Sequence, residues 1–321
     1  MTYYVGVDVG GTSVKIGVVS SSGSIVSEMA IVTGAERPQE VVLQDILEGV
    51  RQVVAASGLG WEKVRAVGVG CPGMVRSEEG TVLYNNNLGW RDFLLGPMLT
   101  EALGLPARVE NDANAAALGE VMAGCAKGAS SAMIITLGTG VGSGFVIDGR
   151  IWAGYNSAAC EFGHMVIVHG GRPCTCGRRG CFEAYASATG LIAMTNEAIA
   201  ADPKGPMEMA RREGRVGGHT SFVAAEAGDP GAMRVVDEYT DYLACGVANL
   251  VNGLQPEVVG VGGGVGKQGE RLLVPLRRKV SEELYGRDYE DDRATRLVSC
   301  TLGYKAGLVG AAMAAKVAYR E

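Results

Sequence analysis

The sequence predicts an α/β protein with two domains. Short apolar runs rich in Val and Ile, bounded by Gly or Ser, alternate with longer segments of helical periodicity. The chain has 321 residues, which is long for a single hydrophobic core. A buried strand followed by a Gly-rich loop occurs twice, at DVGGT and at LGTGVGSG. We therefore expect an N-terminal domain over residues 1–115 and a larger C-terminal domain over residues 116–304.

The N-terminal elements follow from the first runs of the chain. YVGVDVGG, TSVKIGVVS and IVSEMAIV predict three strands in a meander, because each run is short, rich in β-branched residues and bounded by turn residues. Further strands are predicted at 64–73 and 107–111. Apolar residues at helical spacing predict helices at 39–56, 92–103 and 112–126.

The C-terminal elements begin with the second copy of the pattern, at Ala132. AMIITLGTG and VGSGFVID predict a hairpin, and IWAG continues it. The following sequence is mainly helical, with a strand predicted at 257–262 and helices at 183–200, 231–252, 268–284 and 305–319. The segment 305–321 is apolar on most faces, and we expect it to pack back on the N-terminal domain.

The composition is that of a folded protein, and it excludes several classes. Hydrophobic residues make up 47% and charged residues 20%, unlike a disordered chain. The net charge of −6 argues against a nucleic-acid-binding surface. No apolar run is long enough to span a membrane, and MTYYVGVDVGG lacks the basic region of a signal peptide. Most of the eight cysteines lie in apolar segments, which predicts reduced thiols and a cytoplasmic location.

The two Gly-rich loops are candidates for phosphate binding. Glycine permits positive φ and lets backbone N–H groups approach an anion closely. One such loop alone is equally consistent with a plain turn, but two in matching positions favour a nucleotide held from both sides of an interdomain cleft. A third run at 258–266 is expected to pack under a base or ribose. No P-loop motif occurs, and a dinucleotide fingerprint fits poorly because these glycines open hairpins.

ARVENDANAAALGE, at 107–120, predicts a strand that ends where a helix begins. Asn111 and Asp112 then either cap the helix or carry chemistry. A carboxylate at a helix N-terminus lies at the positive end of the helix dipole. From that position Asp112 is able to accept a proton from an attacking hydroxyl, as in phosphoryl transfer assisted by magnesium.

Three cysteines, Cys174, Cys176 and Cys181, fall within GRPCTCGRRGCFEA. A disulfide would leave one thiol odd, and the spacing of Cys174 and Cys176 is too tight for a CxxC redox pair. With one upstream histidine they form a closed structural zinc site, His164 being the predicted fourth ligand. His169, His219 and Cys160 compete for that position, and reduced thiols without a metal are the alternative.

The predicted metal would join two segments that each carry a glutamate. Glu161 precedes His164 by three residues, and Glu183 follows Cys181 by two. Carboxylates suit the recognition of sugar hydroxyls, because each oxygen accepts from an O–H group and a rigid wall holds several acceptors in place. A capping or solvated role is the alternative for either residue alone. The sequence therefore predicts that the zinc orders a binding wall and performs no chemistry.

These motifs together resemble the ROK family (repressor, open reading frame, kinase). The resemblance rests on DVGGTSVKIGVV, GVGCPGMV, NNNLGW, VENDANAAALGE, TLGTGVGSG, EFGH and CTCGRRGCFE, which extend over nearly the whole chain. Within that family the sequence is most similar to the bacterial ATP-dependent glucokinases. The resemblance implies the two-domain actin-like, or ribonuclease H-like, ATPase fold of the sugar kinase, Hsp70 and actin group, with its interdomain cleft.

The resemblance also implies roles for individual residues. Magnesium and ATP would be bound by Asp8, Gly10, Gly11, Thr12, Lys15, Gly138, Thr139, Gly140, Gly263 and Gly264. The sugar would be bound by Asn87, Asn111, Asp112, Glu161, His164 and Glu183. Asp112 would be the general base, and His164 would bind zinc through one ring nitrogen and sugar through the other. Members of the family are commonly homodimers or homotetramers.

The expected activity is phosphotransfer from ATP to an alcohol, most simply glucose to glucose 6-phosphate in carbohydrate metabolism and glycolysis. N-acetylmannosamine, fructose, allose or N-acetylglucosamine are alternative acceptors, and polyphosphate or ADP alternative donors. A sugar-responsive regulator without catalysis is a further alternative. We expect no winged helix-turn-helix, because the first strand begins by Val5, and we expect neither nucleic acid nor membrane as a partner.

The sequence departs from the family pattern at two positions. Cys160 stands immediately before Glu161, where glucokinases usually carry Gly. Ser143 stands in GTGVGSG, where Gly is common. We expect the first departure to alter the sugar pocket or its sensitivity to oxidation, and the second to be harmless.

Overall fold

The computed structural model describes residues 1–85, 87–202, 207, 216–285 and 294–319. Its strands are, in chain order, β1 (Tyr3–Val9), β2 (Ser13–Ser20), β3 (Ile25–Val32), β4 (Val64–Cys71), β5 (Met74–Arg76), β6 (Thr81–Tyr84), β7 (Arg91–Phe93), β8 (Ala107–Asn111), β9 (Ser131–Leu137), β10 (Val141–Ile147), β11 (Arg150–Ile151), β12 (Val258–Gly262) and β13 (Arg296–Ser299).

The α-helices that lie wholly in these residues are α1 (Gln39–Ala56), α2 (Leu95–Leu103), α3 (Asp112–Ala123), α4 (Glu183–Ala186), α5 (Ala188–Ala201), α6 (Thr220–Glu226), α7 (Pro230–Leu254), α8 (Gly263–Gly266), α9 (Glu270–Glu283) and α10 (Ala306–Ala318). Within the described ranges, none of the helices is both long and apolar enough to cross a lipid bilayer.

The first compact unit consists of Met1–Ile134, Gly144–Cys160 and Thr301–Glu321. Its main sheet has the strand order β3–β2–β1–β4–β8. Strands β1, β4 and β8 run parallel, whereas β2 and β3 form the antiparallel meander that the sequence predicts. The Val and Ile side chains of β1, β2 and β4 are buried, and α1 packs against β2 and β3. Parallel pairing brings the carboxyl ends of β1, β4 and β8 to one edge of the sheet.

Helix α10 covers this sheet by direct backbone contact. It packs against β1, β4 and α3, all in the first unit. A Cβ atom at Gly68 would overlap the carbonyl group of Ala311, and one at Gly310 would overlap the carbonyl group of Ala115. The segment 305–321, which the sequence predicts to return to the N-terminal domain, contributes α10 to this unit, and residues 320 and 321 lie outside the described ranges.

A small antiparallel sheet of order β5–β6–β7 also belongs to the first unit. The sequence analysis did not predict this sheet and was wrong to begin a helix at residue 92, because Arg91–Phe93 forms β7 and α2 begins at Leu95. Phe93 lies opposite Val82 in the ladder and packs edge-on against Trp90 at 5.1 Å between ring centroids. Burial of these side chains therefore outweighs the helical spacing of the segment.

The second compact unit consists of Ile135–Ser143 and Glu161–Cys300. Its central helix is α7, which packs against α5, α6 and α9. Lys279 on α9 pairs with Asp237 and Asp241 on α7. Strands β12 and β13 pair in parallel within the sheet of order β11–β10–β9–β12–β13, and β9 and β10 contribute residues to both units.

The first unit extends to Ile134, whereas the N-terminal domain was predicted over residues 1–115. The physical reason is the packing of α3, whose residues lie against α10 and β4. Gly119 on α3 approaches the backbone of Ala306 and Gly310 so closely that no side chain fits there. Helix α3 therefore belongs with the N-terminal sheet, although most of it lies beyond residue 115.

Candidate functional site

The carboxyl ends of the parallel strands in the first unit carry Asp8, Cys71 and Asn111. In the ladders Asp8 lies opposite Gly70, and Cys71 lies opposite Asn111, so these residues share one edge of the sheet. Burial raises the pKa of the Cys71 thiol, and the negative charges of Asp112 and Asp8 add to this shift. Both carboxylates are therefore close to Cys71, at the edge where parallel sheets bind ligands.

Asp8 is held by a lysine and by the start of helix α10. Lys15 lies opposite Asp8 in the β1–β2 ladder, and its Nζ is 2.9 Å from Oδ2 of Asp8. A Cβ atom at Gly307 would stand 2.7 Å from Cγ of Asp8, so glycine leaves room there for the carboxylate. Two residues predicted to bind the nucleotide, Asp8 and Lys15, are thus in direct contact.

The loop between β1 and β2 is open on its outer side. The N–H of Gly10 donates to the carbonyl of Ser13 at 3.0 Å, and the hydroxyl of Thr33 donates to the carbonyl of Gly10 at 2.6 Å. Gly11 and Thr12 are exposed, and nothing lies within 4 Å of the position that a Cβ atom of Gly11 would occupy. This part of the loop has room for a phosphate group close to the backbone.

Asn111 is the N-cap of helix α3. Its Oδ1 accepts from the N–H groups of Ala113 at 2.9 Å and Asn114 at 3.1 Å, and its Nδ2 donates to the carbonyl of Gly73 at 3.0 Å. Asp112 is the first helical residue, and its Oδ1 accepts from the N–H of Ala113 at 2.9 Å. The cap thus fixes the backbone of Asp112, and the Asp112 carboxylate lies at the positive end of the helix dipole.

The segment NNNLGW is anchored by Asn85, a residue that the sequence analysis did not single out. Asn85 is 1% exposed, and its Nδ2 donates to the carbonyl of Pro72 at 2.8 Å. Its Oδ1 accepts from the N–H groups of Asn87 at 2.9 Å and Leu88 at 3.1 Å. Asn87 itself is exposed. The available sequence signal was three successive asparagines between a strand and a tryptophan, because Asn favours turns that its side chain stabilises.

The glycine hairpin of the second unit lies between β9 and β10. The N–H of Gly138 donates to the carbonyl of Gly140 at 3.0 Å, and the hydroxyl of Thr189 donates to the carbonyl of Thr139 at 2.7 Å. The third glycine run lies against it, because a Cβ atom at Gly263, whose φ is +80°, would be 2.5 Å from the backbone of Leu137. Gly263 and Gly264 therefore lie next to this hairpin, so the two glycine segments are close enough to contact the same nucleotide.

The structure brings His164, Cys174, Cys176 and Cys181 together. One ligand atom from each lies within 4.8 Å of the others. Nδ1 of His164 is 3.7 Å from Sγ of Cys174, and Sγ of Cys176 is 3.7 Å from Sγ of Cys181. Tetrahedral ligands about 2.3 Å from zinc are separated by roughly 3.8 Å, so these residues fit a zinc ion. Among the described residues, the cluster does not include His169, His219 or Cys160.

The backbone of the cysteine segment forms a tight turn that fixes the thiols. The N–H of Cys174 donates to the carbonyl of Arg178 at 2.9 Å, and Gly177 adopts a φ of +86°. Burial, with the neighbouring thiols, raises the pKa of Cys181 to about 12, whereas a backbone hydrogen bond from Arg178 lowers the pKa of Cys176. A bound cation would stabilise the thiolate form of all three cysteines.

Glu183 lies between the cysteine segment and the glycine hairpin. Its Oε2 accepts from the N–H of Val141 at 3.0 Å, and its Oε1 is 3.4 Å from the hydroxyl of Thr175. Glu161 is exposed, directly before the short 3₁₀ turn Phe162–His164. The structure thus places Glu161, Glu183 and His164 in one unit with the cysteines, whereas Asn87, Asn111 and Asp112 belong to the other.

Comparison with known proteins gives consistent results. The family model described as "ROK family" matches residues 4–318. The glucokinase of Halalkalibacterium halodurans is 37% identical over 310 residues, which cover 96% of this chain and 93% of that protein. A crystal structure of a ROK family glucokinase from Streptomyces griseus, in complex with glucose and AMPPNP, is 35% identical, covers 98% of this chain and 99% of that chain, and has a TM-score of 0.81.

A more distant relative is a transcriptional regulator. The xylose repressor of Bacillus subtilis is 25% identical over 311 residues, which cover 96% of this chain and 75% of the repressor.

Proposed function

The chain belongs to the ROK family, and from that premise we propose that it is a sugar kinase that transfers phosphate from ATP to glucose, giving glucose 6-phosphate. The family match and the similarity to a solved ROK glucokinase confirm the predicted two-domain actin-like ATPase fold. The observation that carries the proposal is 37% identity to a glucokinase over 96% of the chain. The position of Asp112, at the carboxyl edge of the parallel strands, agrees with it.

Asp112 is the general base in this proposal. The cap made by Asn111 fixes the start of helix α3, and the helix dipole stabilises the Asp112 carboxylate as an anion. The carboxylate accepts the proton of the attacking sugar hydroxyl as the bond to phosphorus forms. Asn87, Asn111, Glu161, His164 and Glu183 bind the remaining hydroxyls. Such contacts hold the sugar in the orientation for attack, which is the main protein contribution in phosphoryl transfer.

Each unit supplies glycine residues that bind the nucleotide in this proposal. Gly10, Gly11, Thr12 and Lys15 bind phosphate oxygens in the first unit, and Gly138, Thr139, Gly140, Gly263 and Gly264 hold the nucleotide in the second. The open space at Gly11 and the packing of Gly263 on Leu137 fit this assignment. A magnesium ion bound with ATP would neutralise charge on the transferred phosphate, and the Asp8 carboxylate is a suitable oxygen ligand for it or for its waters.

Zinc in this proposal is structural. His164, Cys174, Cys176 and Cys181 supply a closed set of one nitrogen and three sulfur ligands, so no coordination position remains for a reacting group. The metal fixes the segment that carries Glu161 relative to the segment that carries Glu183. Zinc-bound thiolates also suit a reducing compartment, and we therefore propose that the protein acts in the cytoplasm.

The test is a coupled assay of ADP release with a panel of sugars. We expect ATP-dependent turnover, fastest with glucose. Asp112→Asn should lower kcat by at least about 100-fold, because the amide cannot accept the proton, while glucose binding measured by calorimetry persists. Asp148→Asn, on an exposed turn with a φ of +50° that Asn tolerates, is the matched control and should retain activity. If Asp112→Asn turned over near the wild-type rate, Asp112 would not be the general base.

The same assay decides between related activities. Faster turnover with N-acetylmannosamine, fructose, allose or N-acetylglucosamine would reassign the acceptor, and replacement of ATP by polyphosphate or by ADP examines the donor. We propose a homodimer or homotetramer, to be measured by light scattering. The similarity to the xylose repressor favours a sugar-responsive regulator as the second candidate. Absence of turnover with every sugar, together with a gel shift at moderate salt, would support that candidate.

A further inference from the structure

Two hydrogen bonds in the second unit join the glycine hairpin to the segments that carry the proposed sugar-binding residues. The first comes from Ser143, which is 7% exposed. Its hydroxyl accepts from the N–H of Phe162 at 3.3 Å. Phe162 lies between Glu161 and His164, both proposed to bind sugar. Ser143 thus connects the hairpin to the backbone of the EFGH segment.

The second hydrogen bond is made by Glu183. Its Oε2 accepts from the N–H of Val141 at 3.0 Å. The carbonyl of Val141 in turn lies against Gly163, where an added Cβ atom would overlap it. The first residues of β10 are therefore hydrogen-bonded to both sugar-binding segments, the EFGH segment and the segment that carries Glu183. The backbone N–H of Val141 donates to the Glu183 carboxylate.

The hairpin backbone has wide conformational freedom at Gly138, Gly140 and Gly142, and the bond from Gly138 to Gly140 closes its tip. Helix α5 also holds this tip, because the N–H of Ala188 donates to the carbonyl of Gly138 at 2.8 Å and the hydroxyl of Thr189 donates to the carbonyl of Thr139 at 2.7 Å. The base of the hairpin, from Val141 to Ser143, is held by the EFGH segment and by Glu183. If bound hexose orders the EFGH segment and Glu183, the hairpin attached to them also becomes more ordered. The hairpin then loses less entropy when it binds nucleotide, and the converse holds when nucleotide binds first.

We propose that Ser143 is a positioning residue which, with Glu183, couples the phosphate-binding hairpin to the sugar-binding wall, so that bound nucleotide increases the affinity for hexose. The inference rests on the proposed kinase function. Because coupling free energies are reciprocal, bound hexose increases the affinity for nucleotide by the same factor. The sequence alone suggests that Ser143 is a harmless departure, whereas the structure shows its hydroxyl bonded to the EFGH segment.

The test measures glucose binding by calorimetry, with and without the non-hydrolysable analogue AMPPNP. The ratio of the two Kd values gives the coupling. We expect Ser143→Ala to reduce this ratio about fivefold, the effect of one lost hydrogen bond, with the Kd for glucose alone unchanged within about twofold. Ser143→Thr keeps the hydroxyl and should keep the coupling. Ser221→Ala, which removes a fully buried hydroxyl bonded to Thr195 at 2.7 Å, is the matched control and should keep it too.

A second measurement uses the wild-type chain alone. AMPPNP without glucose should slow hydrogen exchange at the amides of Phe162 and Val141. Unchanged exchange at Phe162, a wild-type coupling ratio of one, or a ratio in Ser143→Ala equal to that of the wild type would each overturn the inference. These outcomes are distinct from failure of the proposed function, which is the absence of glucose-dependent ADP release by the wild type.

Discussion

Cys160 adopts a backbone conformation that L-residues rarely occupy. Its φ is +66°, and its side chain is buried with Sγ 3.6 Å from the carbonyl of Trp152. A side chain in the left-handed region costs about 1 kcal/mol or more, whereas glycine adopts it freely. Glycine would therefore fit the backbone at this position better than cysteine does. The chain retains this strain directly beside Glu161, a residue of the proposed sugar site.

Replacement of Cys160 separates the strain from the thiol. Both Cys160→Gly and Cys160→Ala remove the sulfur, but only glycine relieves the positive φ. We expect the glycine variant to have a free energy of unfolding about 1 kcal/mol higher than the alanine variant, as measured by urea denaturation. Equal stability of the two variants would show that the backbone at Cys160 is not strained.

Among single residues, the site could be predicted only in part. Asp112 and the cysteines were singled out by their types and spacing, whereas Asp8 was given only by the family resemblance, and the roles of all of them stay predictions. Asn85 was missed because its role depends on a carbonyl at Pro72, distant in sequence, and no local pattern records that contact. The cap at Asn111 was predicted as an alternative to sugar binding. The structure shows that Asn111 is the cap, and its contact with sugar stays a prediction.

The cysteine segment is an element whose order should depend on metal. We expect the purified protein to contain about one zinc ion per chain, and Cys176→Ala to lose it. Loss of the metal frees the segment that carries Glu183, so the variant should unfold at a lower temperature and bind glucose more weakly. Cys245→Ala, on helix α7 outside the cluster, is the control and should retain zinc. Metal analysis, thermal unfolding and calorimetry measure these effects. Full glucose affinity in a metal-free Cys176→Ala variant would contradict the proposed role of the metal.

Glu120 connects helix α3 to the start of helix α10. It is 0% exposed, and its carboxylate accepts from the backbone N–H groups of Leu302 at 2.8 Å, Cys125 at 2.9 Å and Thr301 at 3.1 Å. In Glu120→Gln, the amide NH₂ group would face backbone N–H groups. Because NH₂ is itself a donor, it cannot accept these hydrogen bonds. We expect the free energy of unfolding to fall by about 2 to 3 kcal/mol.

The control for Glu120→Gln is Glu101→Gln on helix α2. Glu101 is exposed, so the same chemical change should alter the unfolding free energy by no more than about 0.5 kcal/mol. Denaturant unfolding of both variants gives the comparison. A small effect at Glu120 would mean that water replaces the carboxylate at the backbone donors of Thr301 and Leu302.

Elements with strong periodicity were predicted well. Helix α1 was predicted at 39–56 and occupies Gln39–Ala56, because its apolar stripe is regular and Pro38 sets its start. The strands β5 to β7 were missed, as were α6 and β13, because short elements carry few periods of any pattern. Their formation depends instead on partners distant in sequence, such as the pairing of β13 with β12.

At the scale of the whole molecule, the sugar that binds most tightly should stabilise the folded chain most. A ligand that binds only the folded chain stabilises it by about 2.7 kcal/mol at a free concentration 100 times its Kd. We expect glucose to raise the midpoint of thermal unfolding more than the other sugars at equal concentration. A larger shift with N-acetylglucosamine or N-acetylmannosamine would reassign the substrate without any assay of turnover.

The division of the chain was harder to predict than its elements. The sequence shows two similar patterns of a strand followed by a Gly-rich loop, but it does not indicate which helix packs on which sheet. The packing of α10 on the first unit was expected from its apolar faces, but α3 joins that unit through glycines that admit backbone contact, and hydrophobic periodicity does not reveal such contacts. Domain limits therefore depend on the complementarity of surfaces that are far apart in sequence.

The glycine contacts beneath helix α10 also affect the order of events at the ribosome. Strand β4 ends at Cys71, whereas the helix that covers β1 and β4 begins only at Ala306 and is translated much later. At about 5–20 residues per second, the nascent sheet waits roughly 10 to 60 s for its cover. During that interval the face of the sheet that α10 covers is open to chaperones and to other nascent chains, so the first unit cannot complete its fold before Ala318 has been translated.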